Sequence, residues 1–169
     1  MKIIQKTLLL LAVLSTTALY SNSFDKALKA ININEIKQLT IELSSDKYQG
    51  RQTDTDGSRL AAKYIDSVLI SIGYNPVRQN FYSSRIDKNV SNILARIDGK
   101  DTNSFVVIGA HYDGLGVVNG EIYHGADDNI SGVAAVMTLA KMYKNNGVKP
   151  AKTIIFAFWK PINAINKPI

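Results

Sequence analysis

The chain has 169 residues, 46% of them apolar and 20% charged, with a net charge of +6 and no cysteine. That composition suits one ordinary folded domain and argues against wholesale disorder. It excludes disulfide staples, thiol nucleophiles and thiolate metal ligands. The basic residues are dispersed rather than gathered into runs that would track a phosphate backbone, so no nucleic-acid partner is expected.

Lys2 and Lys6 open the chain, Leu8–Leu14 is uninterruptedly apolar, and small or polar residues follow from Ser15 to Ala18. This is the order of a secretory signal, assigned to residues 1–21 with cleavage after Thr16-x-Ala18 or near Ser21–Ser23. The apolar run is too short to span a bilayer, and no cysteine follows it to carry a lipid. The expectation is export to a periplasm or beyond, with no membrane anchor after signal removal. Setting Lys2 and Lys6 aside leaves a charge of +4.

Residues 22–159 read as an α/β domain. Phe24–Ser44 has helical spacing, with Ala27, Leu28, Ile31, Ile36 and Leu39 as buried candidates and a break around Asn32–Asn34. Ser45–Ser58 is turn-rich and reads as a loop. Ser58 would cap a helix over Arg59–Ile72 whose apolar face is Leu60, Tyr64, Val68 and Ile72, with Ala61, Ile65 and Leu69 beside it. Gly73 would end that helix, and Tyr74-Asn75-Pro76 would turn into a strand at Val77–Tyr82.

Val90–Ile97 and Phe105–Ala110 read as a strand pair joined by the turn Asp98–Asp101. The all-apolar Phe105–Ala110 predicts burial on both faces. A glycine-punctuated loop over Gly114–Ala126, with a small hairpin at Val117–Tyr123, leads to a helix at Asn129–Asn145. Its buried face would be Val133, Val136, Met137 and Ala140. Lys152–Trp159 is another apolar strand, and strand–helix–strand order calls for a crossover in an α/β sheet. Residues 160–169 change character, with two prolines and no period, and read as a divergent tail.

Chemistry concentrates between Phe105 and Gly132, where both histidines and three aspartates fall. Taken singly, Asp127-Asp128-Asn129 reads as a helix cap worth about 1 kcal/mol, and His111 as an ordinary hydrogen-bonded histidine. Together they matter more, because a crossover sets the start of a helix beside the carboxyl end of a strand. A zinc site needs neutral imidazole and carboxylate donors near 2 Å, with an acceptor on the imidazole's other nitrogen. Asp113, on the same strand face as His111, could be that acceptor.

His111-Tyr112-Asp113 followed by Gly125-Ala126-Asp127-Asp128-Asn129-Ile130-Ser131-Gly132 resembles the signature of the di-zinc aminopeptidases, metallopeptidase family M-28, which includes glutaminyl-cyclase-like members. Tyr48-Gln49-Gly50-Arg51, the Gly57 helix with Ala61-Ala62, Gly73-Tyr74 and Asn92-Ile93-Leu94-Ala95 are similar to that family too, so the resemblance runs over Leu39–Trp159. It implies a three-layer zinc-exopeptidase-like mixed sheet with flanking helices, here incomplete at the C-terminus. It implies His111 as a terminal zinc ligand and Asp128 as the carboxylate bridging two zincs beside a cis Asp128–Asn129 peptide. Asp113 would orient His111; Asp127, Ser131 and Gly132 would shape the turn; His124 has no metal role. The implied activity is removal of amino-terminal residues from a peptide substrate.

One departure stands out. The family carries a Gly- or Ala-Glu-Glu after the strand that here ends at Trp159, the first Glu as general base and the second as ligand. This chain has Lys160-Pro161-Ile162-Asn163, and the family's later Asp and His ligands have no counterpart. The expectation is the amino-terminal portion of such a peptidase, cut short near Trp159 by a frameshift or early stop and inactive as it stands. A non-catalytic exported binding or interaction domain derived from such an enzyme, or a glutaminyl-cyclase-like relative, is the alternative. Thr153–Trp159 would then be an exposed edge strand through which the chain could self-associate.

Overall fold

The computed structural model describes residues 31–84, 86–147 and 149–160. The chain divides into a unit over residues 1–32 and a unit over residues 33–169, and every element below belongs to the second. The signal segment, the helical reading at Phe24–Ala30 with Ala27 and Leu28, and tail residues 161–169 lie outside the described residues. No described helix is long and apolar enough to cross a membrane.

Helix α1 runs over Ile33–Leu43 and buries Leu39 and Leu43. A 3-10 turn over Asp46–Arg51 follows, in the stretch expected to be loop. Helix α2 spans Asp56–Ser71 and begins earlier than expected. Its N-cap is Thr55, whose hydroxyl accepts from the Ser58 amide at 3.3 Å, not Ser58 itself. The reason is close packing: a Cβ on Gly57 would lie 1.9 Å from the Tyr48 carbonyl oxygen, so the first helical turn is pressed onto the 3-10 turn. Ser58 is consequently buried.

The buried face of α2 is Ala61, Ala62, Ile65 and Leu69; Tyr64, Val68 and Ile72 flank it, while Leu60 faces solvent. The apolar stripe is therefore centred one residue round from the expected one. The end of α2 follows expectation. Gly73 adopts φ +93, its amide donates to Ile70, and the Tyr74 amide reaches back to Leu69. That is a Schellman closure with its apolar contact between buried Leu69 and Tyr74.

The strands are β1 Val77–Ser83, β2 Lys88–Ile97, β3 Asp101–His111, β4 Gly116–Val118, β5 Glu121–Tyr123 and β6 Lys152–Trp159. Helix α3, Ser131–Asn145, links the β4–β5 hairpin to β6 and buries Val133, Val136, Met137 and Ala140 as expected. The main sheet is mixed and runs β1-β2-β6-β3, antiparallel at β1–β2 and β2–β6 and parallel at β6–β3.

Two expectations are corrected by that order. Strands β2 and β3 are not a pair, because β6 lies between them. The turn between β2 and β3 is pressed against the start of β6 instead: a Cβ on Gly99 would meet the Lys152 carbonyl carbon at 2.1 Å, and the Gly99 amide donates to Thr153 Oγ1. Strand β6 is thus central and largely buried, and the edge beside it is β3. Phe105, Val106 and Val107 of β3 are 64%, 45% and 44% exposed rather than buried on both faces.

The core lies where Ile93 and Ala95 of β2, Ile154, Phe156 and Phe158 of β6 and Ala110 of β3 meet the buried faces of all three helices. Tyr74 stands edge-on to Phe156 at 5.9 Å and donates its hydroxyl to the Ala140 carbonyl, tying the end of α2 to α3. Lys141 of α3 pairs with Glu35 of α1 at 2.7 Å.

Candidate metal centre

His111 is the last residue of β3, in register with Trp159, the last residue of β6. The parallel pairing brings both carboxyl ends to the same edge of the sheet, where α/β folds place their sites. The Tyr112 amide donates to the Trp159 carbonyl at 3.0 Å and carries the pairing one residue beyond His111.

The second arm is a π-helical turn over Ala126–Ile130 that leads into α3. Gly125 enters it at φ +55, and a Cβ there would meet the Asp128 carbonyl oxygen at 2.7 Å. Asp128 and Asn129 leave helical geometry, with φ −118 and −140, and the peptide between them is cis. A Cβ on Gly132 would lie 2.4 Å from the Asn129 carboxamide, so only glycine lets that side chain fold over the start of α3. Ser131 Oγ donates to the Asp127 carbonyl at 3.4 Å. The residues of the Gly125–Gly132 motif are thus each tied to the shape of this turn.

The two arms meet at His111. Its Nε2 lies 2.9 Å from Asp128 Oδ1, and its Nδ1 lies 3.3 Å from both the carbonyl and Oδ1 of Asp113. Asp113 is buried, with Oδ2 accepting from Thr53 Oγ1 at 3.3 Å. Oδ1 is within ion-pair distance of the imidazole but lacks hydrogen-bond geometry, which leaves it a buried acceptor without a donor. Burial pushes the Asp113 carboxyl above its ordinary pKa, against the opposing influence of His111. In the tautomer with Nδ1–H toward Asp113, Nε2 presents a lone pair to Asp128 Oδ1; in the other tautomer Nε2 donates its proton there. Two acceptors so placed need a cation or a proton between them.

Zinc suits these donors in kind, but their 2.9 Å separation is a hydrogen-bond distance, shorter than the about 3.3 Å between two ligands on a tetrahedral zinc. The number falls short. Among the described residues no group of three or more histidine, cysteine, aspartate or glutamate side chains could hold a metal ion. After Trp159 the described chain continues with Lys160, not a carboxylate. Lys160 is buried, its amide donates to Asn92 Oδ1 at 2.9 Å, and its ammonium lies 5.8 Å from the centre of the Tyr112 ring. Burial lowers its pKa, with the charge of Asp113 pulling the other way.

His124 is exposed, contacting the Ser44 carbonyl through Nδ1 at 2.8 Å and lying 3.7 Å from Asp46. The polar stretch before α2 contributes more than a loop would. Thr53 holds Asp113, and Arg51 is fully buried with its guanidinium bonded to backbone carbonyls on both arms. The sequence marks Arg51 only as the end of the family-like segment Tyr48-Gln49-Gly50-Arg51 and gives no sign of these contacts.

Residues 92–161 match the family described as Peptidase family M28. The chain is 32% identical over 104 residues to leucine aminopeptidase 2 of Trichophyton equinum, a match covering 62% of this chain and 18% of that protein. Two solved structures share the fold at 18% identity. One is the glutaminyl cyclase of Porphyromonas gingivalis, with a TM-score of 0.66 over 76% of this chain and 47% of that one. The other is a Zn-dependent exopeptidase from Parabacteroides distasonis, with a TM-score of 0.60 over 76% of this chain and 46% of that one. The chain therefore spans less than half the length of each of these relatives. The motif of Gly125–Gly132 and the His111 strand both lie inside the region that matches peptidase family M28.

Proposed function

We propose that this chain carries the amino-terminal metal half-site of a zinc-dependent exopeptidase that removes amino-terminal residues from peptides. The observation that carries the reading is the approach of His111 Nε2 to Asp128 Oδ1, 2.9 Å apart at the carboxyl edge of a mixed sheet. The names of the aminopeptidase and exopeptidase relatives support the same class. Zinc, when bound in such a centre, supplies a polarised scissile carbonyl and a water acidic enough to ionise near neutral pH.

The chain's own residues have definable parts. Asp113 fixes the imidazole orientation through Nδ1 and so aims the Nε2 lone pair. Asp128 presents its carboxylate from a turn held by Gly125 and Gly132. No general base faces the pair among the described residues, and no step of turnover is assigned to the 169-residue chain. Export is supported by the signal-like order of Lys2 through Ala18.

Zinc titration of the purified chain tests the reading. The wild type is expected to bind no more than about one zinc per chain, with binding lost in His111→Ala and in Asp128→Ala. Aminoacyl-anilide hydrolysis and glutaminyl-peptide cyclisation, assayed alongside, are expected to be absent. Zinc binding indifferent to both substitutions would sink the half-site. Turnover with two zincs per chain would show that the centre is complete.

A further inference from the structure

We propose that Arg51 is a positioning residue that clamps the two arms of this half-site together and thereby sets the separation of His111 and Asp128. The proposal rests on the half-site reading for its consequence in metal binding, and on the geometry alone for the clamp.

Four hydrogen bonds define the clamp. Nε donates to the Tyr112 carbonyl at 3.0 Å, between His111 and Asp113. Nη1 donates to the His124 carbonyl at 2.7 Å and to the Leu43 carbonyl at 2.8 Å. Nη2 donates to the Gly125 carbonyl at 3.2 Å, three residues before Asp128. One planar guanidinium thus joins the end of α1, the end of β3 and the entry to the Asp128 turn. The backbone adds a fifth tie, because the Arg51 carbonyl accepts from the Gly114 amide at 3.3 Å. Side chain and main chain of one residue therefore bracket Asp113 from both sides, and Thr53, two residues on, holds its carboxylate.

A buried arginine whose direct acceptors are all neutral carbonyls is a costly arrangement, since the charge loses its hydration without gaining a carboxylate partner. Burial lowers the Arg51 pKa to about 10, with Asp113 opposing the shift. The backbone is unusual at the same place: Gln49, Gly50 and Arg51 all have positive φ, of 46, 65 and 57. Left-handed non-glycine residues are held in place only where surrounding contacts over-determine them, and such sites cluster around function.

The neighbours make room for the clamp. A Cβ on Gly125 would lie 2.6 Å from Arg51 Nη2; on Gly114 it would lie 2.5 Å from the Gly50 carbonyl oxygen; on Gly50 it would lie 2.4 Å from that of Gly116. Glycines on both site-bearing segments let the Gly50–Arg51 turn wedge between them. A lysine could carry the charge but not the planar fork that reaches three segments at once.

The test uses the full chain with Arg51→Met, Arg51→Lys and, as a destabilised control away from the site, Leu69→Ala. Amide hydrogen exchange resolved by peptide is the first readout. Arg51→Met is expected to speed exchange about ten-fold or more in the segments around Tyr112–Gly114 and Gly125–Ile130 while the protected amides of α2 hold; Leu69→Ala is expected to loosen the core without that pattern. Zinc affinity per folded chain is expected to fall about 10- to 100-fold in Arg51→Met, less in Arg51→Lys, and to stay unchanged in Leu69→Ala. An even rise in exchange over the whole molecule, or none, would overturn the clamp. If Arg51→Met does not fold, the Arg51→Lys exchange pattern decides by the same criterion. A wild type whose zinc binding survives His111→Ala would defeat the half-site reading while the exchange result still settled the clamp.

Discussion

At Asp113 two demands fall on one carboxylate. It must sit behind His111 to aim the imidazole, and that position is buried, with Thr53 as its hydrogen-bond donor and Oδ1 without one. Burial raises its pKa, so the folded chain holds this proton more tightly than the unfolded chain does. The sign follows from linkage: the contribution to stability is greatest at acid pH and is lost as pH rises through the folded-state pKa. Asp113→Asn is therefore expected to melt higher than wild type at pH 7, by about 1 kcal/mol, with the difference shrinking at acid pH. Its zinc affinity is expected to fall about 10- to 100-fold, since a neutral amide no longer raises the basicity of the imidazole. Thermal melts between pH 4 and 7 with a zinc titration check both; a lower melting point with unchanged zinc affinity would contradict the assignment. His111, Asp113 and Asp128, which the structure brings together, could be singled out in the chain because their spacing is local and motif-bound. Arg51 was not, because three of its acceptors lie 61, 73 and 74 residues away and all four are main-chain carbonyls with no side-chain signature.

Among the elements, the helices were the most readable. The buried face of α3 follows from its period, and Gly73 marks the end of α2. The face of α2 was misjudged by one position because Ala61, small and buried, packs closer than Leu60, which is 40% exposed. The strands were located but not ordered. An apolar run is compatible with a central or an edge position, and Phe105–Ala110 took the edge while Lys152–Trp159 took the centre. The consequence is an unguarded β3, with Phe105 and Val107 exposed and no charged residue from Asn103 to Ala110 to discourage pairing. The chain is expected to self-associate through this edge as its concentration rises, and Val107→Lys, on the face away from Ile108 and Ala110, is expected to restore the monomer. Sedimentation velocity over a range of concentrations measures this. A wild type that stays monomeric throughout would refute it.

For the whole molecule, the proposed half-site has a consequence for stability, since a metal held there is coupled to the fold. His111 and Asp128 lie on separate segments, β3 and the turn before α3, that come together only in the folded chain. Zinc is therefore expected to raise the melting temperature of wild type, by about 2.7 kcal/mol of stability at a hundred times the dissociation constant, and to leave His111→Ala unmoved. An equal shift in both proteins would mean that the metal binds elsewhere.

The chain by itself determined the helices, the strand positions, the metal-type motif and the family, because each is written in local period or fixed spacing. The tertiary structure decided which strand is central and which turn residue reaches both arms of the site. Those outcomes depend on which distant segments come together: Gly99 against Lys152 and Arg51 against Gly125. Close approach of backbone to backbone leaves little trace in composition or period, so it is learned from the folded chain.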